Sequence, residues 1–250
     1  MDTFLDYAQL YKKSDIVMWL DISTHCNAKC PQCHRTNPDG LEKVDWLPLV
    51  QWSLEDFQKA FPRSVLLSID GFELCGTWGD PVMNKEIYEI VEYIIRHCFA
   101  WIKINTNGSI REEEWWWKLG TLGGRRLDIL FDIDGVTQEQ HSHYRQNTNL
   151  EKILNNMKTL SFTKASATVF TVVFKHNRKS LYDIAELCKD YGAKQIMFVP
   201  SNRFADGHNT TYFNTDKEYS LLKSEDSPEN FYWKYFLLDQ HEHMEIIKNA

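Results

Sequence analysis

The stretch IVMWLDISTHCNAKCPQC, residues 16–33, runs an apolar segment straight into a loop with three cysteines. Its first seven residues read as a short, buried strand. The remainder carries Cys26, Cys30 and Cys33 in the spacing C-x3-C-x2-C. A structural zinc site takes four ligands and a disulfide takes two. Three thiols on one tight loop leave a coordination place unfilled, and the rest of the sequence has to say what fills it.

Outward from this stretch the same unit recurs. Short apolar runs at 65–74 (VLLSIDGFEL), 100–106 (AWIKINT), 127–133 (LDILFDI), 166–174 (SATVFTVVF) and 194–200 (KQIMFVP) alternate with helix-like segments. Ser53 with Asp56 three residues on predicts a capping box. NKEIYEIVEYIIRHC places apolar residues at 87, 90, 91, 94 and 95, a helical spacing. REEEWWWKL, LEKILNNMKTL and RKSLYDIAELCKDYG read the same way, the last closing on Gly192, a C-cap residue. Strand followed by helix, repeated six times, predicts a parallel sheet with crossover helices. Several strands are apolar on both faces, as parallel strands are. Six units fall short of the eight-stranded barrel, so the expectation is either an open barrel or a doubly wound sheet. After about residue 203 the pattern decays into a polar stretch and then the aromatic FYWKYFLL. We read 1–203 as one core and 204–250 as a C-terminal extension packed on it.

The totals narrow the function. Of 250 residues, 28 are basic and 35 acidic, for a net charge of −7, and no basic stripe stands out. That balance argues against nucleic acid as the main partner. No apolar run approaches the roughly 20 residues of a membrane span, and the N-terminus does not read as a secretory signal. The default is a cytoplasmic protein, where six cysteines serve as reduced, metal-bound or catalytic groups. Trp115-Trp116-Trp117 is dense enough to line a cleft.

In parallel α/β folds chemistry gathers where strands end. The cysteine loop follows the first strand, CGTWGDP the second and NTNG the third. FDIDG ends the fourth, VVFKHN the fifth, and Val199 lies on the sixth. Iron–sulfur clusters are held by thiolates, usually one per iron, so three cysteines on a four-iron cluster keep one iron for an outside ligand. Pro31 opposes helix formation inside the loop, and Lys29 and Arg35 offset its negative charge. Zinc with His25 or His34 as fourth ligand is the alternative, although paired zinc ligands normally come from two separated knuckles.

Taken together, over residues 16–200, these motifs resemble the radical S-adenosylmethionine (SAM) enzymes. The resemblance implies a partial (β/α)6 TIM-like barrel, parallel strands inside and helices outside. Cys26, Cys30 and Cys33 would hold a [4Fe–4S] cluster, and SAM would chelate the fourth iron. An electron, from a reductant such as flavodoxin or ferredoxin, would split SAM to methionine and a 5′-deoxyadenosyl radical that takes hydrogen from a substrate. CGTWGDP is similar to the family's "GGEP" segment, with Gly79 and Asp80 toward the SAM amino group and Asp in place of Glu. Thr106 and Asn107 match "TNG" and would face the cofactor. FDIDG followed by HSHYR resembles "S-x-D-G … H-x-x-Y-R": Arg145 would pair with the SAM carboxylate, and Asp132, standing where the family has serine, would bind ribose hydroxyls or the ammonium, or point elsewhere. Asn177 would approach the nucleoside and Val199 pack on adenine. Gln32 replaces the usual aromatic residue before the third cysteine.

Among the other cysteines, Cys98 and Cys188 sit in helix-like segments and read as core. Cys75, at a strand end beside the glycine motif, is a candidate catalytic residue. His241 and His243 read as surface residues. The fourth- and fifth-strand motifs look most like the branch that modifies peptides and proteins or matures cofactors. The same chemistry on a small metabolite or nucleotide is the second reading. A zinc-stabilised α/β binding module without redox activity is the third.

Overall fold

A computed structural model describes residues 16–37, 39–201, 203–204, 210–214, 217–222 and 231–250. Residues 1–15 and parts of the polar stretch after 204 lie outside the described residues.

Six parallel strands form the sheet: β1 (Val17–Leu20), β2 (Gly71–Leu74), β3 (Trp101–Thr106), β4 (Leu127–Asp132), β5 (Ser166–Val173) and β6 (Gln195–Pro200). They lie side by side in chain order, which is the topology of an open barrel and not of a doubly wound sheet. The helices between them are α1 (Leu54–Ala60), α2 (Arg63–Leu66), α3 (Ile87–His97), α4 (Glu113–Gly123), α5 (Gln138–Ser142), α6 (Leu150–Ser161) and α7 (Leu181–Asp190). Chain order beyond β6 brings β7 (Thr210–Asn214) and β8 (Lys217–Leu221), an antiparallel pair, then β9 (Tyr235–Leu237) and α8 (His241–Asn249). β9 joins the outer edge of β6 antiparallel, as a seventh strand. Residues 235–237 of the C-terminal extension are thus part of the sheet itself, and α8 packs beside α7.

One core holds the layers together. Alternate strand residues, among them Phe72, Ile102, Ile104, Ile129, Phe131, Val169, Ile196 and Phe198, meet the buried stripes of the helices. The stripe predicted for α3 is observed, with Ile87, Ile90, Val91 and Ile94 buried. The capping box is present: Ser53 Oγ accepts from the Asp56 backbone N–H, and Asp56 Oδ2 from that of Ser53. Gly192 adopts φ 89° just past α7.

The expected strand at 65–74 is corrected. Its first half folds as the end of α2 and a turn, with Pro62 as N-cap, and the strand begins only at Gly71. A short apolar run fits a buried helix turn as well as a strand. The Trp triplet lies in the first turns of α4. Trp116 is fully buried against Phe131 and donates to the Ile110 carbonyl, while Trp117 faces solvent. His243 is half-buried and accepts the Leu237 N–H, so it ties α8 to β9 instead of lying free at the surface.

Candidate functional site: a three-thiol loop between two buried polar hubs

The loop after β1 folds back on itself through turns at Cys30–Cys33 and Cys33–Thr36. The three thiols share a small apolar cluster, separate from the main core, with Ala28, Leu41, Tyr144, Phe174 and Leu221. Leu221 ends β8, so the hairpin contributes to the wall around the cysteines. Neighbouring elements pin the loop: Lys29 N–H donates to the Gln146 carbonyl at 2.9 Å, and Asn147 Nδ2 to the Asn27 carbonyl at 2.7 Å. Arg35 is buried and spans the loop from below, donating to the carbonyls of Cys26 and Thr24. Lys29 pairs with the exposed Glu42.

Asp80 is the first hub. Its carboxylate accepts from Val82 N–H, Thr106 Oγ1, Asn107 N–H and Asn107 Nδ2. This ties the CGTWGDP loop to the end of β3. Asn107 in turn reaches Asn27 Oδ1 and lies 3.9 Å from the Cys26 sulfur. Gly79 lets the glycine loop close on β1: a Cβ there would sit 2.3 Å from the Ser23 carbonyl oxygen. Asp80 N–H donates to the His25 carbonyl across the same gap. Burial raises the Asp80 pKa, opposed by its hydrogen bonds.

Arg145 is the second hub. Its Nε donates to Asp134 at 2.6 Å and its Nη1 to Asp132 at 2.8 Å. Sequence reading assigned the guanidinium to an outside carboxylate. The structure places two carboxylates of the chain on it, leaving Nη2 without a partner among the described residues. Burial pushes Asp132 up to about 7, against the pull of Arg145. Asp134 also accepts Val172 N–H.

Asn177 is fully buried and wholly engaged with backbone. It accepts from Phe174 N–H and donates to the carbonyls of Asp134 and Val172. In this position it braces the ends of β4 and β5. Val199 is buried near the end of β6. Gln32 bonds to Ser201 and Arg203, linking the cysteine loop to the end of β6. Cys75 is buried at the end of β2, and burial with Glu73 and Asp21 pushes its thiol up to about 11.

Sequence reading missed two supports. Asp21 caps the glycine loop by accepting Thr77 and Trp78 N–H groups. Asn84, fully buried, bonds the Ile22 and Trp52 carbonyls. A polar residue at the very end of an apolar strand was the available signal for the first; nothing local marks the second.

Burial also raises the thiols of Cys26 and Cys30, the latter to about 12. The donor set is three soft sulfur atoms at an apolar wall, with Arg35 near Cys26 and Arg145, itself held by Asp132 and Asp134, near Cys30. Among the described residues no group of three or more His, Cys, Asp or Glu is placed to hold a single metal ion; thiolates of one loop are the donor type of an iron–sulfur cluster, in which each iron takes its own sulfur.

Fold and site thus define a class: an open α/β half-barrel with a three-thiol loop on the rim where its strands end. Comparison with known proteins leads to the same class. At 26% identity over 200 residues the chain is similar to a probable GTP 3′,8-cyclase of Methanocaldococcus jannaschii, the match taking in 78% of this chain and 62% of that protein. It is 24% identical over 201 residues to the antilisterial bacteriocin subtilosin biosynthesis protein AlbA of Bacillus subtilis, covering 79% of this chain and 42% of AlbA. The fold matches Streptococcus suis SuiB bound to S-adenosylmethionine with a TM-score of 0.60 at 10% identity, over 81% of this chain and 45% of SuiB. SuiB bound to its precursor peptide SuiA gives 0.59 at 10% identity, over 78% and 42%. The chain therefore spans less than two thirds of the length of each of these proteins. No family model matches it. By sequence and by fold the chain is thus similar to radical SAM enzymes. Among the described residues no helix is long and apolar enough to cross a membrane.

Proposed function

We propose that the chain uses radical SAM chemistry on a peptide or protein substrate. When bound, the cluster and SAM would supply one-electron, hydrogen-abstracting chemistry. The observation that carries this reading is the gathering of Cys26, Cys30 and Cys33 in one apolar cluster between the Asp80 and Arg145 hubs.

In this reading Cys26, Cys30 and Cys33 are the cluster ligands. The Gly79–Asp80 segment and Thr106–Asn107 shape the wall that receives the SAM amino group. Asp80 acts by holding that wall, since its oxygens already accept from the chain's own donors. Arg145 presents Nη2 to the SAM carboxylate while Asp132 and Asp134 fix the guanidinium plane. Asp132 and Val199 would lie toward the nucleoside. A flavodoxin or ferredoxin supplies the electron. Support for a peptide substrate comes from relatives and neighbours that act in peptide contexts; the similarity to a probable GTP 3′,8-cyclase keeps a nucleotide as the second reading.

The test is anaerobic reconstitution followed by reduction in the presence of SAM. The wild type is expected to release 5′-deoxyadenosine, and Cys30→Ala to release none and to lose iron. Full iron retention in Cys30→Ala would remove the ligand assignment. Deuterium passing from a labelled peptide into 5′-deoxyadenosine would support the peptide reading, and passage only from a nucleotide would replace it.

A further inference from the structure

The sheet has a second face. Paired residues on adjacent strands share a side, so Trp19, Glu73, Lys103 and Asp128 stand in one row across β1 to β4. This row lies opposite the face that packs into the main core. Lys103 Nζ donates to Tyr235 Oη at 2.8 Å, although β4, β5 and β6 separate their strands. The sheet therefore curls until its middle touches its far edge. That contact is a strut across the concavity, below the rim that carries the cysteines.

Several hydrogen-bonding valences around the strut are unused. Asn105 Nδ2 donates to Glu73 Oε1 at 3.1 Å, but Asn105 Oδ1 is buried with no partner among the described residues. A buried carbonyl without a donor is costly, and what it needs is an N–H or O–H. Glu73 Oε2 likewise has no partner among the described residues. Glu73 and Asp128 against Lys103 leave the row one negative charge. Trp19, 69% exposed, stands beside Glu73 in register and offers a ring face.

We propose that this face is a substrate subsite for a cationic, donor-rich side chain of a peptide, seated on Glu73 and Asn105 beside Trp19. The proposal rests on the peptide reading above, whose substrate it narrows. A guanidinium supplies parallel N–H groups to the carboxylate and the amide oxygen. The indole face attracts the same cation, and the local charge is cancelled. An anion would meet Lys103 only between two carboxylates.

The probe is N-acetyl-arginine amide against its uncharged near-isostere N-acetyl-citrulline amide, titrated by calorimetry into the anaerobically reconstituted holoenzyme. Arginine amide is expected to bind at least about tenfold more tightly. Glu73→Gln erases that preference. Lys103→Met, which leaves the row more negative, increases it. Opposite signs in the two variants separate the effect from misfolding. Equal binding of the two compounds to the wild type, binding of neither, a preference kept in Glu73→Gln, or a preference reduced in Lys103→Met would each overturn the subsite. SAM cleavage is scored in the same preparations. Glu73-dependent arginine binding without 5′-deoxyadenosine would sink the enzymatic reading and keep the subsite; the converse would sink the subsite alone.

Discussion

At the residue scale, Gly79 matters for the atom it lacks. A Cβ at that position would lie 2.3 Å from the Ser23 carbonyl oxygen and 2.7 Å from Thr24 backbone. Neither obstacle is a flexible side chain, so Gly79→Ala is expected to push the glycine loop off the cysteine loop. We expect a cost of about 1–3 kcal/mol in chemical denaturation, together with reduced iron loading; normal stability and iron would contradict the close approach. Asp80→Ala strands four donors at once. It is expected to lower stability by about 2–4 kcal/mol and to weaken SAM binding more than iron binding, and an unchanged melting temperature would rule out the hub. His141 is a different kind of residue. It is fully buried, accepts Asp134 N–H, and burial drives its pKa down to about 3. The unfolded chain takes up a proton there near pH 6.5 and the folded chain does not, so its contribution to stability is present above that pH and fades as pH falls toward 3. Replacing it in His141→Gln should flatten the loss of stability between pH 6.5 and 4 relative to wild type, with unfolding free energies measured at several pH values. Parallel slopes in the two proteins would refute this.

At the element scale, helices were legible because they repeat. The apolar positions of α3 and α7 fall on one stripe, and Ser53 and Asp56 announce the start of α1. Ser53→Ala should cost about 1 kcal/mol, read from the denaturation midpoint. The strand at 65–74 was misread because VLLSID has no period long enough to separate a helix turn from a strand. β9 was illegible for another reason. Its three residues pair antiparallel with a strand some forty positions earlier, and only that tertiary contact makes them a strand. Phe236 on β9 packs at tilted ring angles against Phe198 and Phe231 in the main core. Phe236→Ala is accordingly expected to cost about 3–5 kcal/mol, well beyond the effect of an exposed tail residue. A loss under 1 kcal/mol would mean that the C-terminal extension does not seal the sheet.

At the scale of the whole molecule, the order of motifs along the chain was the most informative signal. Each polar segment follows its strand, so a parallel sheet carries them all to one rim, and Cys26, Asp80, Asn107 and Arg145 do gather there. What order could not give was valence. It did not show that the guanidinium of Arg145 is held through Nε and Nη1 by Asp134 and Asp132, with Nη2 left over, or that Asn177 is engaged with backbone. Nor did it show that β8 walls the thiols or that Lys103 reaches Tyr235. These contacts join residues far apart in sequence and leave no local pattern. The central claim is that residues 26, 30 and 33 hold a four-iron cluster with one iron open to SAM. Electron paramagnetic resonance of the reduced, anaerobically reconstituted protein tests it most directly. About four irons per chain and a reduced-cluster signal that changes shape when SAM is added are the expected result. A signal indifferent to SAM, or a protein that takes up one zinc and no iron, would contradict the account.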